Sequence, residues 1–222
     1  MTERVLVIAP HPDDEVLGVG GTMARHAAEG HRVTVAIVTK GDPSMFSAEA
    51  VAQARAEAQR AHAILGVAET RFLDFTAAEL DVTKHRLVNE AFGALVRDVQ
   101  PTIVYVPFAH DIHLDHQRVF LSAMVAVRPT SANAPRAVYA YETLSETNWN
   151  APYLNAAFSP NVFVDIAAFL DKKLEALQIF ATQMRPFPSE RSVEAIRALA
   201  MLRGATVTRA AAEAFVLIRE IR

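Results

Sequence analysis

Runs of consecutive apolar residues alternate with segments of helical spacing along the first half of this chain, and that alternation limits the fold more than any other feature. RVLVIA at 4–9, RVTVAIVT at 32–39 and TIVYV at 102–106 are apolar through most of their length. A strand with one wet face alternates apolar and polar residues; a strand apolar on both sides is covered on both sides. Between these runs, Val16–Glu29 has helical spacing and stops at Gly30, and Ala48–Leu65 stops at Gly66. Thr70–Phe75 reads as a short strand and Lys84–Val99 as a helix. A further helix is expected after His116, running to about Val127 before Pro129. The order β-α-β-α-β-α-β predicts an α/β fold: a Rossmann-like, doubly wound, mostly parallel sheet with helices on both faces.

Later segments extend this pattern. Ala137–Tyr141 and Asn161–Asp165 are expected strands, Ala167–Phe180 an amphipathic helix and Met184–Ser189 a loop. Ser192–Leu202 and Ala210–Glu220 read as helices. No linker divides the 222 residues, so a single domain over 1–222 is expected, with a core at 1–130 completed by 131–222. Net charge is −3, and the aromatic residues are not interleaved with Lys and Arg, which argues against a nucleic-acid partner. Without cysteine there is neither a disulfide framework nor a thiolate metal site. No apolar run approaches the ~20 residues of a membrane span. The N-terminal apolar stretch is too short for a secretion signal, so the expected location is cytoplasmic.

Doubly wound folds place their sites in loops that follow strands, near the reversal of strand order. Two such loops are dense in polar groups. His11-Pro12-Asp13-Asp14-Glu15 follows the first strand, and His110-Asp111-Ile112-His113-Leu114-Asp115-His116 follows the fourth. The second loop holds three of the chain's eight histidines. In the standard order the first and fourth strands flank the reversal, so the loops should face one another.

Taken singly, each loop has a structural reading. Asp13 or Asp14 caps the following helix, Glu15 is favoured by its dipole and Pro12 sets the turn. The second loop is an exposed turn. Taken together, the two loops are better explained by a divalent metal, because a cation relieves the repulsion among adjacent carboxylates. Two imidazoles and one carboxylate, with a position left open, match catalytic zinc. The same set suits Fe2+ or another divalent metal. Zinc suits hydrolysis because it makes water acidic near neutral pH. Another carboxylate must then accept the proton. The histidines of HLDH are three residues apart, so one can ligate while the other stabilises a developing oxyanion. Asp115 can orient a neighbouring imidazole.

The stretches VLVIAPHPDDEVLGVGGTMARHAAEGHRVTVAIVTKGD and PTIVYVPFAHDIHLDHQRV, with LGV at 65–67, YET at 141–143 and RG…AEAF at 203–215, resemble the PIG-L/LmbE-like family of zinc-dependent N-acetylglucosaminyl deacetylases. The resemblance implies that His11, Asp14 and His116 hold the metal. It implies Asp13 as general base, His113 as oxyanion stabiliser and candidate acid for the leaving amine, and Asp115 as its support. The implied reaction hydrolyses the N-acetyl group of a GlcNAc-type sugar or glycoconjugate, giving acetate and free amine. The implied partner is a small amino-sugar substrate, and relatives of this kind are often homo-oligomers. Leu114 stands where the family often has Pro, and Ala77 where it often has an acid that helps bind sugar.

Two substrate contacts have paired readings. Asp42 either touches substrate or caps the next segment. Arg55 lies near a substrate-contacting Arg of relatives, or is a solvated helix charge. His26, His31, His62 and His85 read as surface or packing residues, Lys172-Lys173 as a solvated face, and Tyr141, Trp149 and Tyr153 as either sugar-site or packing residues. Two rival functions stay open: an amidase acting on a larger sugar or thiol conjugate through the same site, and a nucleotide-binding module without metal chemistry. Gly18, Gly20 and Gly21 speak weakly for the second, because they lie inside a helix and lack dinucleotide-binding spacing.

Overall fold

A computed structural model describes residues 2–222. The chain alternates β1 (Arg4–Ala9), α1 (Asp14–Ala28), β2 (Arg32–Lys40), α2 (Ala48–Leu65), β3 (Glu69–Thr76), α3 (His85–Val99), β4 (Ile103–Pro107), α4 (Leu114–Ala126) and β5 (Ala137–Tyr141). It continues with β6 (Val162–Asp165), α5 (Leu170–Gln178), α6 (Val193–Thr206) and β7 (Ala212–Glu220). One seven-stranded sheet of order β3-β2-β1-β4-β5-β7-β6 takes strands from both halves of the chain. β1 to β5 pair in parallel, and β7 runs antiparallel to both β5 and β6.

The apolar runs have the cause expected of them. Val5, Val7, Val33, Val35 and Ile37 face α1, α2, α5 and α6. Leu6, Ile8, Ala36 and Val38, on the alternate positions, face α3 and α4. Each fully buried Leu, Ile or Val contributes about 1.5–3 kcal/mol on leaving water. Gly66 ends α2 in the left-handed region at φ 79°, which a side chain would disfavour. The glycines of α1 serve close packing: a Cβ on Gly21 would lie 2.7 Å from Ile166, and one on Gly18 would overlap the Tyr141 ring. Tyr141 is fully buried and donates to the Ile8 carbonyl at 2.9 Å, whereas Trp149 and Tyr153 are exposed.

Two expectations are corrected. Ala210–Glu220 is not a helix; its main part is strand β7. The Ala-rich start favours helix, but Phe215-Val216-Leu217 pair with Tyr141-Ala140-Tyr139 between two existing strands, and tertiary pairing outweighs local propensity. Lys173 is also not on a solvated face. It is 4% exposed, and its Nζ donates to the Leu17 carbonyl (2.6 Å) and to Glu213 Oε1 (2.7 Å). Helix starts shift too: α1 begins at Asp14 and α4 at Leu114, so Asp14, Asp115 and His116 all stand in first turns. Among the described residues no helix is long and apolar enough to cross a membrane.

Candidate active site

β1 and β4 are neighbours in the sheet, so the loops at their carboxyl ends meet as expected. His11, Asp14 and His116 converge, with one donor atom from each lying within 4.8 Å of the others. Asp14 Oδ2 is the centre of the group. It lies 3.2 Å from His11 Nδ1 and 3.1 Å from His116 Nε2, and accepts the His11 backbone N–H at 2.9 Å.

Asp111 orients His116. Its Oδ2 is 2.8 Å from His116 Nδ1, and its Oδ1 accepts the Thr147 hydroxyl at 2.6 Å. His116 Nε2 is fully buried and, beyond its 3.1 Å approach to Asp14 Oδ2, has no hydrogen-bond partner. That orphaned nitrogen, aimed at a carboxylate oxygen already near a second imidazole, fits a metal ligand. His11 has the matching arrangement, with Nδ1 toward Asp14 and Nε2 3.0 Å from Asp115 Oδ2. All three donor residues therefore fit a divalent cation.

Electrostatics bind these groups together. Burial opposes charge on His11, but hydrogen bonds to Asp115 and Asp14 carry its pKa up to about 9. Burial likewise opposes charge on His116, and the Asp14 and Asp111 carboxylates raise its pKa to about 10. Burial also works against the charge of Asp14, but His116 and His11 hold its carboxyl well below the usual range. A cation entering here would displace protons from the imidazoles.

Asp13 points into the neighbouring cavity. It is 3% exposed, and its backbone sits at φ 112°, a conformation that an L-residue adopts only when its surroundings enforce it. Glu15 Oε2 accepts the Asp13 N–H at 3.2 Å, and Arg191 Nη1 donates to Asp13 Oδ2 at 2.7 Å. Burial and the Asp14 charge push the Asp13 carboxyl up to about 8 against the pull of Arg191.

His113 caps α4, where its Nδ1 accepts the Asp115 N–H at 3.1 Å. An accepting Nδ1 puts the proton of a neutral ring on Nε2. Burial, then the neighbouring His11, lowers the His113 pKa, which favours that neutral ring. The ring centroid lies 4.6 Å from that of His11 and 5.7 Å from that of His116. Asp115 reaches His113 through its backbone; its carboxylate instead meets His11, the Ala78 N–H (2.6 Å) and the Leu80 N–H (3.2 Å).

A cavity of about 340 Å³ opens over these residues, within the size range of small-molecule sites. His11, Asp13 and His113 line it together with Asp42, and Met45, Phe46, Val51 and Phe180 give it apolar walls. Asp42 also accepts the Ser44 N–H at 2.7 Å, so it caps a turn while facing the cavity. Ala77 lines the cavity as well. Arg55 does not; it pairs with Asp74 and lies over the Phe72 ring at 4.7 Å. Asp111 and Arg191 have no expected role in the sequence, and Glu15 and His62, expected at a helix dipole and in surface or packing positions, are paired at 2.9 Å. The polar density of residues 110–116 was a signal for Asp111; nothing local pointed to Arg191.

A family model described as GlcNAc-PI de-N-acetylase, PIG-L, matches residues 6–127, more than half of the chain. The chain belongs to the PIG-L family. It is 28% identical to the 1D-myo-inositol 2-acetamido-2-deoxy-alpha-D-glucopyranoside deacetylase of Acidothermus cellulolyticus, over 83% of this chain and 80% of that one. It is also 28% identical to the diacetylchitobiose deacetylase of Thermococcus kodakarensis, over 85% of this chain and 72% of that one. Among solved structures, the conserved protein TT1542 from Thermus thermophilus superposes with a TM-score of 0.78 at 29% identity, covering 100% of this chain and 97% of that one. The curated relatives named here are deacetylases, hydrolases of amide bonds.

Proposed function

We propose that this PIG-L protein is a metal-dependent N-deacetylase that removes the acetyl group of a GlcNAc-type amino sugar or its conjugate. The observation that carries this reading is the buried His116 Nε2, without a hydrogen bond and 3.1 Å from Asp14 Oδ2, converging with His11 and Asp14 beside a cavity lined by His11, Asp13 and His113. His11, Asp14 and His116 would hold the ion, zinc being the metal best matched to a His2Asp set in a hydrolase. A bound divalent ion supplies Lewis acidity at the amide carbonyl. Asp13 accepts the proton of the attacking water. His113, with its proton on Nε2, donates a hydrogen bond to the developing oxyanion, and the proton that Asp13 took from the water passes to the leaving amine. The C–N bond breaks, and acetate and a free amine leave.

The apolar cavity walls favour a second reading, an amidase acting on a larger acyl or conjugate group. One experiment separates the two. The zinc-loaded protein is incubated with N-acetylated amino sugars and with matched longer N-acyl derivatives, and released acid and free amine are quantified. Preferential release of acetate supports the first reading. Preferential cleavage of the longer amides supports the second, and no amine from either series defeats both.

A further inference from the structure

At the far end of α1 from the candidate active site lies a second cluster of metal-type donors. His26 stands in the last turn of α1, Glu29 is its cap and His31 leads into β2. One donor atom from each lies within 4.8 Å of the others. Asp14 and His26 are twelve residues apart on one helix, so the two clusters are about 18 Å apart.

His26 supplies the decisive observation. Its Nδ1 is buried and has no hydrogen-bond partner, while its Nε2 lies 3.1 Å from the Tyr105 hydroxyl. A neutral ring that donates Nε2–H to Tyr105 leaves a lone pair on Nδ1 with nothing to meet. A buried polar atom left in that condition is destabilising, and a ligand would relieve it.

The partners can close on it. Glu29 Oε1 accepts from Arg25 Nε at 2.8 Å, which leaves Oε2 available 3.7 Å from His31 Nε2. His31 Nδ1 takes the Glu3 N–H at 3.4 Å, at the long limit of a hydrogen bond. Ligation through His31 Nε2 would move its proton to Nδ1 and give up that weak contact. Zinc bonds of about 2.0–2.2 Å in a tetrahedron put ligand atoms roughly 3.3 Å apart. Glu29 is exposed and His31 partly so, and the donor atoms of the cluster already lie within 4.8 Å of one another.

We propose that His26, Glu29 and His31 form a second divalent-cation site, separate from the catalytic cavity. Two imidazoles and one carboxylate select a borderline metal such as Zn2+ over Mg2+ or Ca2+, which take all-oxygen sets. Water completes the coordination. The ion would tie the end of α1 to the start of β2, and through Tyr105 to β4.

The test is a titration of the chelator-treated protein with Zn2+ alone, counting bound equivalents by competition with a chromophoric chelator. Wild type should bind two equivalents. His31→Asn and Glu29→Gln should each lose one or weaken it by about tenfold or more, and His116→Ala should keep one. One equivalent in wild type, falling to none in His116→Ala, overturns this proposal and leaves the active-site reading standing. One equivalent kept in His116→Ala but lost in His31→Asn supports it while the active-site metal fails. Two equivalents retained in both His31→Asn and Glu29→Gln also overturn it.

Discussion

Arg191 Nη1 donates to Asp13 Oδ2 at 2.7 Å, and this contact fixes the carboxylate proposed as the base. The same guanidinium is anchored through Nε to Ser145 Oγ at 2.7 Å and approaches Gln183 Oε1 at 3.4 Å. With one oxygen held, the plane of the carboxylate is set and the other oxygen accepts the proton along a defined direction. Arg191→Ala should lower kcat by about a hundredfold, the scale of loss when a reacting group is displaced by an ångström. KM should change much less. Arg191→Lys should recover part of the loss by restoring the charge without the anchoring fork. Steady-state kinetics decide, and unchanged kcat in Arg191→Ala would show that the ion pair does not position the base.

Asp13 is the proposed base and His116 a proposed metal ligand, and their substitutions should separate. Asp13→Asn should keep the metal content of wild type while losing about a hundred- to ten-thousandfold in turnover, the usual share of general base catalysis. His116→Ala should lose the metal itself. Metal analysis of the two purified variants beside acetate release provides the comparison. Near-normal turnover in Asp13→Asn would remove Asp13 from the mechanism.

Asp111 should act through His116. It is fully buried, and both its oxygens are engaged, one by His116 Nδ1 and one by Thr147. Asp111→Asn keeps the shape but weakens the hold on the ring's tautomer, and should reduce metal affinity by about 10- to 100-fold. Zinc competition titrations read this directly, and added zinc should restore turnover. Loss of turnover that saturating zinc leaves unrepaired would point to a different role.

What the sequence showed and what it hid follow from the range of the interactions involved. β1 matches Arg4–Ala9 and α2 matches Ala48–Leu65, because an apolar run and a terminal Gly66 are local signals. The HPDDE and HLDH loops were also legible, since their chemistry is concentrated within a few residues and the fold class predicts their meeting. β7 was hidden: AAAEAF favours helix in isolation, and only β5 and β6 on either side make it a strand. Arg191 was hidden more deeply, being 178 residues from Asp13. Lys173 gave no sign of burial, because its partner Glu213 is 40 residues away.

The Lys173–Glu213 pair joins three elements, and its loss should be costly. Glu213 accepts the Gly21 and Thr22 backbone N–H groups at 2.8 and 2.7 Å, while Lys173 bridges it to the Leu17 carbonyl. Lys173→Met leaves the Glu213 charge buried without its counter-ion, and should destabilise the protein by about 3–5 kcal/mol. Lys172→Met, one residue away on an exposed position, should cost little. Urea unfolding of both variants tests the contrast, and equal midpoints would contradict the buried ion pair.

Glu15, the third acid of the first loop, links stability to the geometry of the base. It is fully buried; its Oε1 lies 2.9 Å from His62 Nε2, and its Oε2 accepts the Asp13 N–H. His62 in turn meets Thr70 Oγ1 through Nδ1 at 2.7 Å. The carboxylate therefore ties α2 and β3 to the strained backbone of Asp13. Glu15→Ala should cost about 3–5 kcal/mol by stranding buried partners, and should also lower kcat by freeing the Asp13 backbone. His62→Ala should cost comparable stability yet leave kcat closer to wild type, because the bond from Glu15 to Asp13 survives. Unfolding curves and turnover measured on both variants separate the two effects. Equal losses of kcat would mean that the Asp13 backbone is held by the packing of the loop rather than by Glu15.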